Sequence, residues 1–157
     1  MRYKINYSEG DWFAIPLEKG GWAVGLIARG PRRLLLGYFF GPRRHTLPSI
    51  ADILDLRPEN AILVCQFGDL GLVTNRWSIL GKQADWNRAD WPLPPFGHID
   101  FVDPTKAYLR IYDERDLSQL PREVATSPEN ARRYPEDGLA GEGAVVAELD
   151  HFLSMQP

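Results

Sequence analysis

The sequence is poor in residues that bind metals or form disulfides. It has one cysteine, Cys65, and three histidines, His45, His98 and His151, among its 157 residues. A single cysteine excludes an intramolecular disulfide and favours a reducing compartment. A zinc site needs three or four ligands, but only His98 has a carboxylate, Asp100, two residues away. We therefore predict no metal site, and we interpret Cys65, which lies in an apolar run, as an inert hydrophobic residue.

Long hydrophobic runs are also missing. The longest nearly unbroken apolar stretch, residues 34–40, is far shorter than the roughly 20 residues of a membrane-spanning helix. The N-terminal residues MRYKINYSEGD contain no apolar signal region, so we expect a cytoplasmic protein. The glycine-rich segment 138–143 lacks the Lys and Ser/Thr of a phosphate loop. No catalytic constellation is complete, so we assign no catalytic residue and no cofactor, and we expect a protein that is not an enzyme.

Charge is distributed unevenly along the chain. Residues 1–112 contain 14 Lys/Arg and 11 Asp/Glu, whereas residues 113–157 contain 4 Lys/Arg and 10 Asp/Glu. An acidic C-terminal third disfavours nucleic acid as its partner and is compatible with a basic protein or with a solvated acidic surface. One group of basic residues is compatible with nucleic-acid contact, although charged residues are common at strand ends and in loops: Arg29, Arg32, Arg33, Arg43 and Arg44.

The remaining composition indicates strands. Three runs rich in aromatic and β-branched residues, 12–17, 22–29 and 33–40, are separated by Lys19-Gly20-Gly21 and Gly30-Pro31, which is the pattern of successive hairpins. Residues 41–45 are predicted to form a basic loop. Further strands are predicted at 61–67, 77–81 and 107–112. Gly25 and Gly37 inside two strands indicate close backbone approach or bulges, as in curved sheets. We predict a β-rich α+β fold with a strongly curved antiparallel sheet or small barrel of about six strands.

Two or three peripheral helices complete the predicted fold. Ser127-Pro128-Glu129 is typical of a helix start, with an N-cap, a proline in the first turn and an acid beside the positive end of the dipole. Residues 144–153 carry an apolar stripe at helical spacing. The chain length suits a single domain, 1–157, with a β-rich core over 1–112 and an acidic, helical part over 113–157.

Tryptophan is abundant, with five residues in the chain. Trp12, Trp22 and Trp77 stand in predicted strands and are expected in the core. Trp86 and Trp91 stand in an irregular segment, 82–98, beside Asp85 and Asp90. Exposed aromatic residues rimmed by acids are typical of protein-binding hot spots, but these two side chains could equally pack the loop onto the sheet. We predict a partner-binding surface from this loop and an acidic link, with these members: Asp85, Trp86, Asp90, Trp91, Asp113, Glu114 and Asp116.

Four segments in order resemble the Immunity protein 26 family. The first is Gly10-Asp11-Trp12-Phe13-Ala14-Ile15-Pro16-Leu17 followed by Trp22-Ala23-Val24-Gly25. The others are Phe67-Gly68-Asp69 with Gly71 and Trp77-Ser78-Ile79-Leu80-Gly81, and then Trp91-Pro92-Leu93-Pro94 with Phe96. The resemblance spans about residues 8–112. It implies a cytoplasmic protein of a bacterial polymorphic-toxin system that binds and neutralises a cognate toxin, and it implies no catalytic residues.

Two other functions stay open from the sequence. Gly10-Asp11 before a hydrophobic strand also resembles the start of small-barrel endoribonuclease toxins of the MazF/PemK kind. The Arg, Ser and Thr residues that those enzymes use after their second strand have no clear counterpart here. The third possibility is a ligand-binding barrel. The oligomeric state and the identity of the toxin are not determined by the sequence.

Overall fold

A computed structural model describes residues 3–31 and 34–155. Within these residues the chain forms a strand-rich α+β structure. The strands are β1 (Asp11–Pro16), β2 (Trp22–Arg29), β3 (Leu34–Arg44), β4 (Leu63–Gly68), β5 (Ser78–Lys82), β6 (Phe96–Ile99), β7 (Ala107–Ile111), β8 (Arg122–Thr126) and β9 (Leu139–Ala140). The helices are α1 (Leu70–Val73), α2 (Pro128–Ala131) and α3 (Glu142–Ser154). No helix in these two ranges is long and apolar enough to cross a membrane.

The first three predicted strands are confirmed, and they form a meander. Gly20 and Gly21 adopt φ values of 97° and 76° in the β1–β2 turn, a region that glycine enters without steric cost. The third strand differs from its prediction at both ends. Arg33 lies outside the described residues, and β3 continues through the predicted basic loop to Arg44, which pairs with Trp22. The register between β2 and β3 shifts at this point. The proline in this part of β3 is tolerated because a proline, which has no N–H to donate, fits where the regular ladder is interrupted.

The main sheet has six strands in the order β5-β1-β2-β3-β4-β9. Its pairs are antiparallel except for β4 and β9, which run parallel over two residue pairs. The described strands do not close into a barrel, because β5 and β9 form two separate edges. The prediction of a strongly curved antiparallel sheet or small barrel is therefore not confirmed, whereas the α+β, strand-rich class is.

Both faces of the main sheet are buried, which explains the nearly continuous apolar runs in its central strands. Phe13 and Trp12 are adjacent in β1, so their side chains enter opposite faces, and both are completely buried. Phe13 belongs to a first core that α3 covers through Val145 and Leu149. Trp12 belongs to a second core that the loops and the second sheet cover. Trp77 is buried as predicted, but Trp22 is only half-buried.

The glycine at position 25 in β2 makes room for an aromatic ring. A Cβ atom added at Gly25 would lie 2.5 Å from the ring of Phe13, and one at Gly37 would lie 2.6 Å from the ring of Phe39. These distances are far below van der Waals contact. Each glycine therefore gives space to an aromatic side chain, whereas the sequence had indicated a bulge or a close approach of the backbone.

A second sheet, β6-β7-β8, is antiparallel. Of its strands only β7 was predicted, at 107–112, whereas β6 lies mostly in the segment 82–98 that was expected to be irregular. Its strand β8 begins with Arg122 and Glu123, charged residues that do not indicate a strand. On its other side, β6 is joined to residues 135–137: the Gly97 N–H donates to Pro135 O at 2.8 Å, and the Asp137 N–H donates to Gly97 O at 2.8 Å.

The predicted helices are present. Ser127 caps α2, accepting a hydrogen bond from the Asn130 N–H at 3.1 Å, and α3 extends slightly beyond the predicted 144–153. Residues 113–157, expected to be helical, also contribute β8 and β9.

Candidate functional site

The two parts of the predicted partner surface lie side by side. The tryptophan loop, residues 83–95, connects β5 to β6, and the acidic link, residues 113–116, follows β7. In the loop, Arg88 forms a bidentate ion pair with Glu9, at 2.9 and 2.7 Å. The same guanidinium donates from Nη1 to the backbone oxygen of Glu114 at 3.2 Å. Segments that are about 26 residues apart in sequence therefore share one surface.

A buried arginine at the end of β2 holds these segments to the sheet. Arg29 is 4% exposed, and its Nε donates to Glu114 Oε2 at 2.7 Å. Its Nη1 donates to the backbone oxygens of Ala28 and Trp91 at 2.6 and 2.9 Å. A buried guanidinium must be paired and hydrogen-bonded, because removing it from water is costly. Glu114 and the tryptophan loop supply those partners.

Trp91 is an internal anchor of the loop. It is only 4% exposed and makes edge-to-face contacts with Trp12, Tyr38 and Phe40 at ring-centroid distances of 5.8, 5.3 and 6.1 Å. The Tyr38 hydroxyl donates to the backbone oxygen of Pro92 at 2.5 Å. Burial raises the pKa of Tyr38 to about 12, although the nearby charge of Arg29 acts to lower it. The hydroxyl therefore stays protonated and can donate this hydrogen bond. Of the two alternatives left open for Trp91, an exposed hot spot or a side chain packed onto the sheet, the structure shows the second.

Trp86 also packs inward. It is half-buried against the second core and lies over Gly10, where an added Cβ would come within 2.9 Å of the indole ring. Gly10 has a φ of 91°, so both space and backbone conformation favour glycine there. Of the alternatives that the sequence left open for the two tryptophans, packing the loop onto the sheet describes Trp91 fully and Trp86 in part.

The acidic members of the predicted surface are at or near solvent. Asp85, Asp90 and Asp113 are exposed, Glu114 is half-exposed at the side chain and Asp116 is half-buried. Asp113 Oδ1 accepts hydrogen bonds from the Arg115 and Asp116 N–H groups at 2.7 and 3.1 Å, which fixes the turn of the acidic link. The exposed carboxylates therefore stand on an ordered backbone.

The predicted basic group does not form one surface. Arg29 is buried, and Arg43 pairs with the nearly buried Asp150 of α3 at 2.9 Å. Arg44 is half-buried, while Arg32 and Arg33 lie outside the described residues. Two of the three members that the structure describes, Arg29 and Arg43, are thus paired with carboxylates of the fold, which disfavours a nucleic-acid interface built on this group.

The other candidate chemistry is equally limited. Burial, together with the charge of Glu148, raises the pKa of Cys65 to about 12, so its thiol is protonated at neutral pH. In the described ranges no three His, Cys, Asp or Glu side chains are grouped to hold a metal ion. A groove of about 590 Å³ between β4, β9 and α3 is an open surface feature rather than the interior of a barrel.

Sequence reasoning missed the central position of Arg29. The signal available was an arginine at the end of an otherwise apolar strand, but its partners come from residues 88–91 and 114, which no local pattern connects.

The model of the family described as Immunity protein 26 matches residues 8–108 of the chain. This range includes the first five strands, the tryptophan loop and β6, and it covers well over half of the 157 residues. No curated protein and no solved structure matches the chain.

Proposed function

The chain belongs to the Immunity protein 26 family, and we propose that it binds and neutralises the cognate toxin of a bacterial polymorphic-toxin system by protein–protein contact. The family match over residues 8–108 is the observation that carries this proposal. In this proposal the protein acts in the cytoplasm and needs no catalysis and no cofactor, because occupying the toxin's surface is sufficient to block it.

The proposed contact surface consists of the tryptophan loop and the acidic link. Its exposed carboxylates are Asp85, Asp90 and Asp113, with Glu114 and Asp116 beside them. The hydrogen bond from Arg88 to Glu114 O supports a continuous surface. A negative surface would steer a basic toxin and raise the association rate. In this proposal Trp91 supports the surface from inside, and the half-buried Trp86 is the aromatic residue that remains near solvent.

We also propose that residues 1–157 act as one domain. The support is that α3, from the acidic C-terminal part, places Val145, Leu149 and Leu153 in the core that β1–β4 form. A C-terminal part that supplies core residues cannot be removed without exposing that core to water.

The first test is co-expression with the toxin encoded by the neighbouring reading frame. We expect the wild-type protein to restore growth and to bind the purified toxin domain. Failure to restore growth and to bind would overturn the proposed function. A ribonuclease assay on the purified protein is expected to show no cleavage, whereas cleavage would favour the endoribonuclease alternative.

The second test locates the surface by charge reversal. We expect Asp90→Lys, at an exposed position of the tryptophan loop, to slow association about 3-fold at low ionic strength, to weaken its salt dependence and to leave dissociation nearly unchanged. Glu148→Lys is the matched control: it makes the same charge change at an exposed position of α3, the helix on the opposite face of the main sheet. Equal association rates for the two variants would refute this surface and leave the binding function standing.

A further inference from the structure

The turn between β6 and β7 presents two apolar side chains to solvent. Phe101 is 96% exposed and Val102 is 90% exposed. Folded proteins rarely leave a phenylalanine this exposed beside a second large apolar residue without an interaction that covers them. The turn also lies at the opposite end of β7 from the acidic link: it precedes Ala107, whereas the link follows Ile111, and a strand of five residues spans about 17 Å.

Two aspartates fix the shape of this turn, which we name the Phe101 tip (residues 100–103). Asp100 Oδ1 accepts hydrogen bonds from the Val102 and Asp103 N–H groups, both at 2.8 Å. Asp103 Oδ1 accepts from the Thr105 N–H at 3.1 Å and from its hydroxyl at 2.6 Å. The backbone N–H of Asp100 donates to Lys106 O at 2.9 Å and closes the hairpin. Phe101 is thus displayed on an ordered turn, so binding through it costs little ordering entropy.

We propose that the Phe101 tip is a second anchor for the toxin and inserts Phe101 and Val102 into an apolar pocket rimmed by Lys or Arg. This inference rests on the proposed function, and it adds a contact that the acidic surface does not include. The basic rim follows from charge complementarity, because Asp100 and Asp103 flank the apolar pair and bring two carboxylates to the mouth of such a pocket. Aromatic residues that become desolvated at the centre of an interface are the usual hot spots.

A groove beside the tip fits the same partner. It has a volume of about 560 Å³, lies between β6 and α2, and is lined in part by His98, Ile99, Phe101 and Tyr134. A protein that receives Phe101 would therefore have room to insert a side chain of its own next to it. A projecting apolar side chain beside a groove favours a structured protein surface as the occupant.

The test compares Phe101→Ser with Met155→Ser in binding to the purified toxin domain encoded by the neighbouring reading frame. Met155 is a large apolar residue, 63% exposed, at the end of α3, and serves as the matched control. We expect Phe101→Ser to raise Kd at least about 20-fold, mainly through faster dissociation, and Met155→Ser to change it less than about twofold. Asp100→Ala, which keeps Phe101 but releases the turn, is expected to raise Kd about 3- to 10-fold.

Thermal melting checks that each variant is folded, and Val102→Ser provides a second test if Phe101→Ser is not. If the wild type binds the toxin and the Phe101, Val102 and Met155 variants all have equal Kd values, the inference is overturned and the proposed function stays intact. No binding by the wild type would overturn both. Sedimentation analysis addresses the other occupant: a wild-type dimer that Phe101→Ser dissociates, with toxin affinity unchanged, would assign the tip to self-association and also overturn the inference.

Discussion

The ion pair between Arg29 and Glu114 leads to a prediction about stability at the protein surface. The Glu114 side chain is 54% exposed, and surface substitutions at such positions usually change the free energy of unfolding by less than about 0.5 kcal/mol. Removing Glu114, however, leaves the guanidinium of Arg29 buried without its counter-charge and its Nε without an acceptor. Loss of a fully buried partner costs about 3–5 kcal/mol.

The expected cost here is smaller for two reasons. Glu114 is partly screened by water, and Arg29 keeps its hydrogen bonds to the Ala28 and Trp91 oxygens. We therefore expect Glu114→Ala to lower the free energy of unfolding by about 1.5–3 kcal/mol, the range for a hydrogen bond to a charged group. For a chain of this length that corresponds to a decrease in Tm of roughly 4–10 °C.

Urea unfolding followed by tryptophan fluorescence measures this effect. Asp90→Ala is the matched control, because Asp90 is an exposed acid of the same surface and makes no ion pair among the described residues; its expected change is within about 0.5 kcal/mol. Equal unfolding midpoints for the two variants would show that Arg29 does not depend on Glu114, and the account of the buried arginine would be wrong. The same reasoning makes Glu114 unsuitable for mapping the interface by charge reversal, since its loss would perturb the loop that it supports.

Two further predictions concern the first core. Gly25→Ala should lower the free energy of unfolding by about 1–3 kcal/mol through overpacking against Phe13. Phe13→Leu in the same chain should recover part of that loss. If urea unfolding shows that the effects of the two changes simply add, the contact between Gly25 and Phe13 is contradicted. Cys65, with a pKa raised to about 12, should react with a thiol reagent at pH 8 at least about 100-fold more slowly in the folded protein than in urea, since only the thiolate reacts. Similar labelling rates in the folded protein and in urea would show that the thiol is accessible. Because the pKa of the thiol is higher in the folded protein than in the unfolded chain, the contribution of Cys65 to stability is complete below about pH 8.5 and is lost progressively as the pH rises toward 12.

The parts of the fold that were predictable from sequence are those with local signals. The β1–β2–β3 meander has glycine and proline at its turns, and α2 has Ser127 and Pro128 at its start, so short windows were sufficient. Strand β8 was missed because its first two residues are charged and its pairing partner in β7 is more than ten residues away. The barrel prediction assumed closure, which depends on how the sheet edges meet and cannot be read from the pattern of single strands.

The candidate site depended on longer-range contacts. Segment 82–98 was identified as irregular and aromatic, but the exposure of Trp91 was decided by Arg29 and Tyr38, which bind its loop from positions 62 and 54 residues away in sequence. Before those contacts are known, an arginine at a strand end is indistinguishable from a member of a basic patch. The same limitation applies to the Phe101 tip, because a Phe-Val pair in a hairpin is expected to be buried until its neighbours are placed.

The carboxylates of the proposed surface differ in what they already bind, and this difference determines which of them a toxin can use. Glu114 compensates a buried charge, so a partner that took over its carboxylate would have to replace that interaction before gaining affinity. Asp113 uses one oxygen for its turn, while Asp85 and Asp90 are exposed. A toxin cation can therefore pair with Asp85, Asp90 or the second oxygen of Asp113 without breaking an existing contact. In the proposed complex we therefore expect these three residues to pair directly with toxin cations, whereas Glu114 keeps the tryptophan loop in the position from which they act.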